Sequence, residues 1–376
     1  MQPCHIIPTH LFFPASYFLS FPSSIFTPWP PEALMKSKLI RYAVGLIVTV
    51  LALWLSFRNL DWAALRESFT RVQLLWVILA VINVLFTVYA MGWRWRLLLK
   101  SKKDIPLGYM FRLNVIAQYI NIVLPGRFGE IAKAWLPAKR YDLSGSYVLG
   151  TVVIEKMFDF FSGVILWVSI PAFFAFHGQI KGYTMALVIC VILIILLVLV
   201  VWKREMVRKL LYFFSSLLPE GKFRQRVVNF LEKGMEAFSQ LKDTRTSIGL
   251  ALYTVLIVLL STLTNFLLFL AFGFKLSFFE AMVLLLIVQV GNAPPSVPGK
   301  IGIFEYIVIL GLGFFDIKKA VAMGYALMLH VVSYLPKIIL GFIFMANLNI
   351  SIKKAESEMA QFQEKGNNPP RGASSK

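Results

Sequence analysis

The sequence predicts an all-α polytopic membrane protein, with about six full spans plus two Pro-Gly-broken re-entrant helix pairs arranged as an inverted-topology repeat. Three observations predict it. The 376-residue chain is 58% hydrophobic and 15% charged, where soluble domains carry about a quarter charged residues. Its apolar residues stand in continuous runs of spanning length and do not alternate as they would in a membrane β-barrel. A Pro-Gly-basic-x-Gly cluster occurs twice, each time inside an apolar stretch.

Residues 1–35 are Pro-rich, lack a basic leader and are too interrupted by Pro to form a spanning helix. From Met35, "MKSKLIRYAVGLIV" reads as an ordinary start, so the preceding segment is expected to be disordered or to lie ahead of the true initiator. Uninterrupted spans are expected at 39–57, 74–93, 147–170, 183–202, 248–272 and 320–347. Each is long enough to cross ~30 Å of hydrocarbon at 1.5 Å per residue. Two further apolar regions, 107–135 and 278–315, are broken by the Pro-Gly clusters. A single membrane domain over 36–350 would then contain repeat halves at about 74–170 and 248–347. The 203–247 linker between them carries amphipathic basic-aromatic pieces suited to a membrane surface. The tail 351–376 is polar and expected to be disordered.

Charge sets the orientation and narrows the partners. The net charge is +19, but the basic residues flank apolar spans, which points to cytoplasmic loops and anionic headgroups and away from nucleic acid. With six crossings, few cations fall outside: Arg58, Arg66, Arg71, Lys181, Lys275, Lys318 and Lys319. Both termini are therefore expected in the cytoplasm, in a prokaryotic-type cytoplasmic membrane. Cys4 and Cys190 form no framework, and His5, His10, His177 and His330 have no metal-ligand spacing, so no cofactor and no metal are expected.

The two clusters correspond residue by residue. In "VLPGRFGEIA", Pro125, Gly126, Arg127, Gly129 and Glu130 match Pro298, Gly299, Lys300, Gly302 and Glu305 of "SVPGKIGIFEY". Upstream, Gln118 and Asn121 are echoed by Gln289 and Asn292. The flanking spans run in opposite senses, which makes the repeat inverted. Broken helices at corresponding places in two halves are a sequence pointer to a transport site. Backbone groups freed by Pro and Gly cannot face lipid. The helix that starts after each break presents N–H groups and a positive dipole end to an anion, with Arg127 and Lys300 as added donors. Interfacial turns with snorkelling cations are the competing reading.

Charges also enter the third span, "SYVLGTVVIEKMFDFFSGVILWV". Glu155 and Asp159 are four residues apart and share a face, with Lys156 about 100° away. Intramembrane carboxylates are functional candidates by default. They could share a proton or recruit a cation, either by coupling to protons, by a switching salt bridge to Arg127 or Lys300, or in a static interhelical pair. His330, near Pro336, reads as structural.

Together, "LPGRFGEIAKAWL", "VVIEKMFDFFSGVIL" and "PSVPGKIGIFEYIVIL" resemble the transmembrane region of lysylphosphatidylglycerol synthases and the stand-alone flippase-like proteins grouped with it. The resemblance covers roughly residues 36 to 350. It implies a region that moves a lipid between leaflets, with Pro125, Gly126, Arg127, Gly129 and Glu130 in one motif and Pro298, Gly299, Gly302 and Glu305 in the other. Glu155, Lys156 and Asp159 match a segment that often reads Glu-Arg-x-x-Asp in the family. After residue 350 only a short polar tail follows, so the soluble aminoacyl-transfer domain is not expected here.

The function expected is therefore translocation of an anionic phospholipid or a lipid-linked sugar or polyprenyl-phosphate, without enzymatic chemistry. The head would bind at the two broken motifs, and Glu155, Lys156 and Asp159 would couple or gate. The alternatives are a non-catalytic partner of a separate lipid synthase or glycosyltransferase, or an integral-membrane lipid or glycosyl transferase.

Overall fold

The computed structural model describes residues 46–124, 128–176 (side chains through 164), 228, 232, 236–291 and 298–348. Among these residues every regular element is helical. The helices are α1 (Leu46–Phe57), α2 (Trp62–Thr70), α3 (Leu74–Leu99), α4 (Leu107–Val123), α5 (Phe128–Tyr141), α6 (Gly145–Phe176), α7 (Thr244–Ala271), α8 (Phe278–Gly291), α9 (Ile303–Gly313) and α10 (Lys319–Asn347).

Helices α3, α7 and α10 are each long and apolar enough to cross a membrane. They coincide with three expected spans. A fourth expected span falls within α6, which is 32 residues long. The first expected span behaves differently. Helix α1 ends at Phe57 and the chain turns by 83° into α2. The polar "RNLD" at this corner interrupts the apolar run. Asp61 accepts the backbone N–H of Ala64 at 3.0 Å and so starts α2 in its new direction. The pair counts as a fourth crossing only if it is taken as one bent span. The expected span 183–202, the extension 1–35, the tail 351–376 and most of the 203–247 linker lie outside the described residues.

Both Pro-Gly regions form helix pairs, as their sequences require. Helices α4 and α5 pack against each other across the first break, and α8 packs against α9 across the second. At the first, Asn121 accepts the N–H of Gly129 at 2.8 Å. A Cβ on Gly129 would stand 1.9 Å from the carbonyl oxygen of Ala117, so only glycine permits this approach. At the second, Gly299, Lys300 and Gly302 all have positive φ (72°, 57° and 88°). This left-handed corner redirects the chain into α9.

Each half has the same element order: a long helix, a broken pair, a long helix. The first is α3, α4–α5, α6; the second is α7, α8–α9, α10. One hydrophobic core gathers around α4–α5 and includes Trp95, Leu113, Ile116, Trp135 and Val148. The other gathers around α8–α9 and includes Phe269, Leu284, Val308, Met323 and Tyr325. Helices α3 and α7 contribute to both cores and form the most extensive helix pairing of the protein. Asn83 ties them together by donating to the Leu260 carbonyl at 2.7 Å and to Thr264 Oγ1 at 2.9 Å. The second half reaches across as well, with α10 lying against α4. Before α7, the end of the linker docks on the first half: Ala237 is fully buried and Lys102 donates to Glu236 at 2.5 Å.

Candidate functional site

A cluster of six charged groups joins three helices of the first half. Helix α6 supplies Glu155, Lys156 and Asp159; α5 supplies Glu130 and Lys133; α3 supplies Arg94. The four-residue spacing of Glu155 and Asp159 places both on the face that meets α3. Arg94 spans the two, with Nη1 2.7 Å from Asp159 Oδ1 and Nη2 3.6 Å from Glu155 Oε1. Lys133 Nζ lies 2.5 Å from the other oxygen of Glu155. Lys156 turns the other way and reaches Glu130 at 3.0 Å, with Asp159 at 3.7 Å.

The cluster grades from buried to exposed. The side chain of Glu155 is 1% exposed and that of Arg94 is 3% exposed, whereas that of Lys156 is 54% exposed. Taking ions this far from water is costly unless they are paired and hydrogen-bonded. Several contacts offset that cost. Arg94 also donates to Thr254 Oγ1 of α7 at 3.2 Å. The Lys133 ammonium sits over the Trp95 ring, 4.5 Å from its centroid. Trp95 is held in turn by donating to Thr151 at 3.0 Å. Even so, Arg94 Nε and Glu155 Oε1 have no hydrogen-bond partner. At its exposed end the cluster opens on a groove of about 450 Å³ between α5 and α6. Glu130 and Lys156 stand on its lining among Ile131, Val152, Phe160 and Phe161.

The second motif is organised by its carboxylate. Glu305 accepts the N–H of Gly302 at 2.6 Å and so caps the start of its own helix. Its other oxygen pairs with His330 Nδ1 on α10. His330 packs between Phe304 and Tyr334, with ring centroids 4.8 and 4.4 Å away.

The structure brings together some of the residues picked out in the sequence and separates others. Glu130, Glu155, Lys156 and Asp159 share the charge cluster. Gly129 and Asn121 meet in the α4–α5 turn, and Gly302 and Glu305 meet in the α9 cap. Gln118 lines a separate internal cavity that also touches Phe304. Gln289 is exposed on α8. Pro298, Gly299 and Lys300 form the 3₁₀ turn before α9, and this turn packs against α4. Pro125, Gly126, Arg127 and Asn292 lie outside the described residues. The cations seen against Glu155 and Asp159 are Arg94, Lys133 and Lys156.

Arg94 and Lys133 were not among the expected site residues, because a basic residue near a span end reads as a cytoplasmic flank. The available signal was the apolar context. Arg94 stands before "WRLLL", and α3 runs on to Leu99. His330 has a defined partner in Glu305, for which the sequence offered no local sign.

Residues 42–341 match the family profile described as "Lysylphosphatidylglycerol synthase TM region". The chain belongs to this family. It is a membrane protein and, over its length, resembles stand-alone members. It is 22% identical to UPF0104 membrane protein PH1989 of Pyrococcus horikoshii over 85% of this chain and 99% of the relative. It is also 22% identical to UPF0104 membrane protein MJ1595 of Methanocaldococcus jannaschii, over 86% of this chain and all of the relative. A second M. jannaschii protein, UPF0104 membrane protein MJ1078, is 25% identical over 59% of this chain and 91% of its own length. For this member of the lysylphosphatidylglycerol synthase TM family, the motif-bearing helices α4–α5, α6 and α8–α9 all fall inside the matched region.

Proposed function

We propose that this protein moves a lipid with an anionic head, a phospholipid or a lipid-linked sugar or polyprenyl-phosphate, between leaflets of the cytoplasmic membrane. The observation that carries the proposal is the junction of charge and grease at α5 and α6. A paired charge cluster ends in the half-exposed Lys156, and Lys156 borders an apolar groove. Such a surface suits an amphiphile, with its head against charged groups and its tail along Ile131, Val152 and Phe160.

The two halves act as the moving parts in this reading. Their shared element order supports an inverted repeat, and so do their cross-contacts. Helix α10 of the second half packs on α4 of the first, and α6 of the first touches α8 of the second. Rocking of the halves about the α3–α7 pair would expose the head to each side in turn. Arg127 and Lys300 at the breaks would assist in gripping it, and the Glu155–Asp159 pairs would open and close with access. No bond is made or broken, so the role is transport and not catalysis. Both termini face the cytoplasm in this arrangement.

The test is lipid movement in proteoliposomes carrying head-labelled phosphatidylglycerol or polyprenyl-phosphate sugars, followed by leaflet accessibility. Wild type should move at least one of them. The Arg127→Ala/Lys300→Ala double variant and Lys156→Ala should move it more slowly. Unchanged movement by the double variant would remove the breaks from the head site. If folded protein moves no lipid, even across an imposed pH gradient, the translocase reading fails. Co-purification of a lipid synthase or glycosyltransferase would then point to a partner subunit.

A further inference from the structure

Lys337 is the one lysine of α10 set far from the helix ends. It lies ten residues before Asn347, about 15 Å at 1.5 Å per residue. That is beyond the reach of a lysine stem to the nearer interface. Among the described residues its ammonium has no ion pair and no hydrogen bond. It lines a cavity of about 170 Å³ enclosed by α3, α4, α7, α8, α9 and α10. No carboxylate lines this cavity among the described residues.

The position is fixed by close packing. A Cβ on Gly341 of α10 would fall 2.3 Å from Tyr119 Cβ of α4, so the two helices touch almost backbone to backbone. One turn away on each helix stand Lys337 and Gln118, both on the cavity wall. Ser333 shares the face of Lys337 at the i, i+4 spacing. The cavity also lies beside both breaks: Gln118 is on the last turns before the first, and Phe304 is on the first turn after the second.

The hydrogen-bond inventory of the wall is lopsided. Thr87, Ser261 and Thr264 already donate to carbonyls of their own helices at 2.8, 2.7 and 3.3 Å. Asn265 donates to the Ser261 carbonyl at 3.1 Å. What remains uncommitted is Lys337, the hydroxyl of Ser333 and the amide of Gln118, whose one contact is Met91 Sδ at 3.7 Å. The surplus is donors with a positive charge. A neutral polyol would need acceptors in equal measure, whereas a phosphate group brings several acceptor oxygens and a negative charge.

We propose that Lys337, Ser333 and Gln118 form a phosphate-binding site between the two halves. A phosphate mono- or diester accepts from all three, and the cavity holds the phosphate with little more than its first substituent. The physiological sense of this site rests on the translocase reading, in which the phosphate is that of the lipid head. Binding itself does not depend on movement.

The experiment is isothermal titration of the full-length protein in detergent with sodium phosphate, glycerol 3-phosphate and dihexanoyl phosphatidylglycerol. Octyl glucoside serves as the uncharged comparison. At least one phosphate probe should bind and octyl glucoside should not compete. Lys337→Met should weaken binding roughly tenfold or more, the weight of a charge-assisted hydrogen bond, and Lys337→Arg should retain most of it. Lys337→Met replaces an unpaired charge by an apolar stem of similar length, so it should fold. Binding of the soluble probes identifies free phosphate esters as ligands, and binding of the lipid alone identifies the headgroup. If no phosphate probe binds, or if Lys337→Met binds as wild type does, the site is overturned. Wild type that binds the lipid but moves none in proteoliposomes would leave the site standing and remove the translocase.

Discussion

Arg94 on α3 and Asp159 on α6 meet at 2.7 Å inside an apolar bundle, and Arg94 holds Glu155 on the same face at 3.6 Å. One guanidinium thereby joins the first long helix of its half to the last. Removing one member of a buried ion pair leaves the other charge uncompensated, at about 3–5 kcal/mol. Arg94→Met and Glu155→Ala should therefore each lower the thermal midpoint of the detergent-solubilised protein strongly. Lys133→Met/Glu155→Met should be less damaging than the two single losses summed, which a double-mutant cycle would measure.

The outer pair should behave differently. Lys156 and Glu130 lie at the groove and are far more exposed. Exposed pairs contribute about 0–1 kcal/mol. Lys156→Ala should leave the thermal midpoint nearly unchanged while slowing lipid movement. A large loss of stability with normal movement would contradict the placement of this pair at the lipid-handling surface.

Glycines separate close packing from mere flexibility. Gly129→Ala forces a Cβ to 1.9 Å from a backbone oxygen, whereas Gly313→Ala points into open space. The first should yield little monodisperse protein. The second should fold normally, and replacing a helical glycine should add up to about 1 kcal/mol. Size-exclusion profiles and melting curves of the two variants would show the contrast.

At the start of α7, Asp243 accepts from the Thr246 side chain at 2.6 Å and from its N–H at 3.0 Å. These bonds hold its carboxyl below the usual carboxylate range. A carboxylate depressed in the folded state adds stability above its unfolded value, and that stability is lost as pH falls through the folded value. Amide exchange at Arg245 and Thr246 should accelerate below about pH 4, and Asp243→Ala should show the faster exchange at neutral pH as well.

Much of the fold was legible because its signals are local. Apolar runs located α3, α7 and α10, and Pro-Gly clusters located the breaks of the two helix pairs. The α1–α2 corner was harder to read, since "RNLD" looks the same at the end of a span as at a bend within a short helix pair. The site was legible only in part for a related reason. Glu155 and Asp159 stood out as carboxylates deep in a span. Their partners Arg94 and Lys133 come from other helices and resemble flanking cations. The pairing of Glu305 with His330 is a contact between α9 and α10, to which local spacing is blind. Lys337 was equally obscure in the sequence, because its lack of a partner is a property of the packed bundle.

The charge arithmetic of these two places has an electrical consequence. Arg94, Lys133 and Lys156 face Glu130, Glu155 and Asp159 as three cations against three carboxylates. Carried as a body through the transmembrane field, that cluster transfers no net charge, and the voltage does no net work on it. Lys337 stands apart as a single uncancelled charge. Displacing it across the full field involves ~2.3 kcal/mol per 100 mV, until a bound monoanion neutralises it. The unloaded protein is thus the form that senses the membrane potential, and the loaded form is electrically silent.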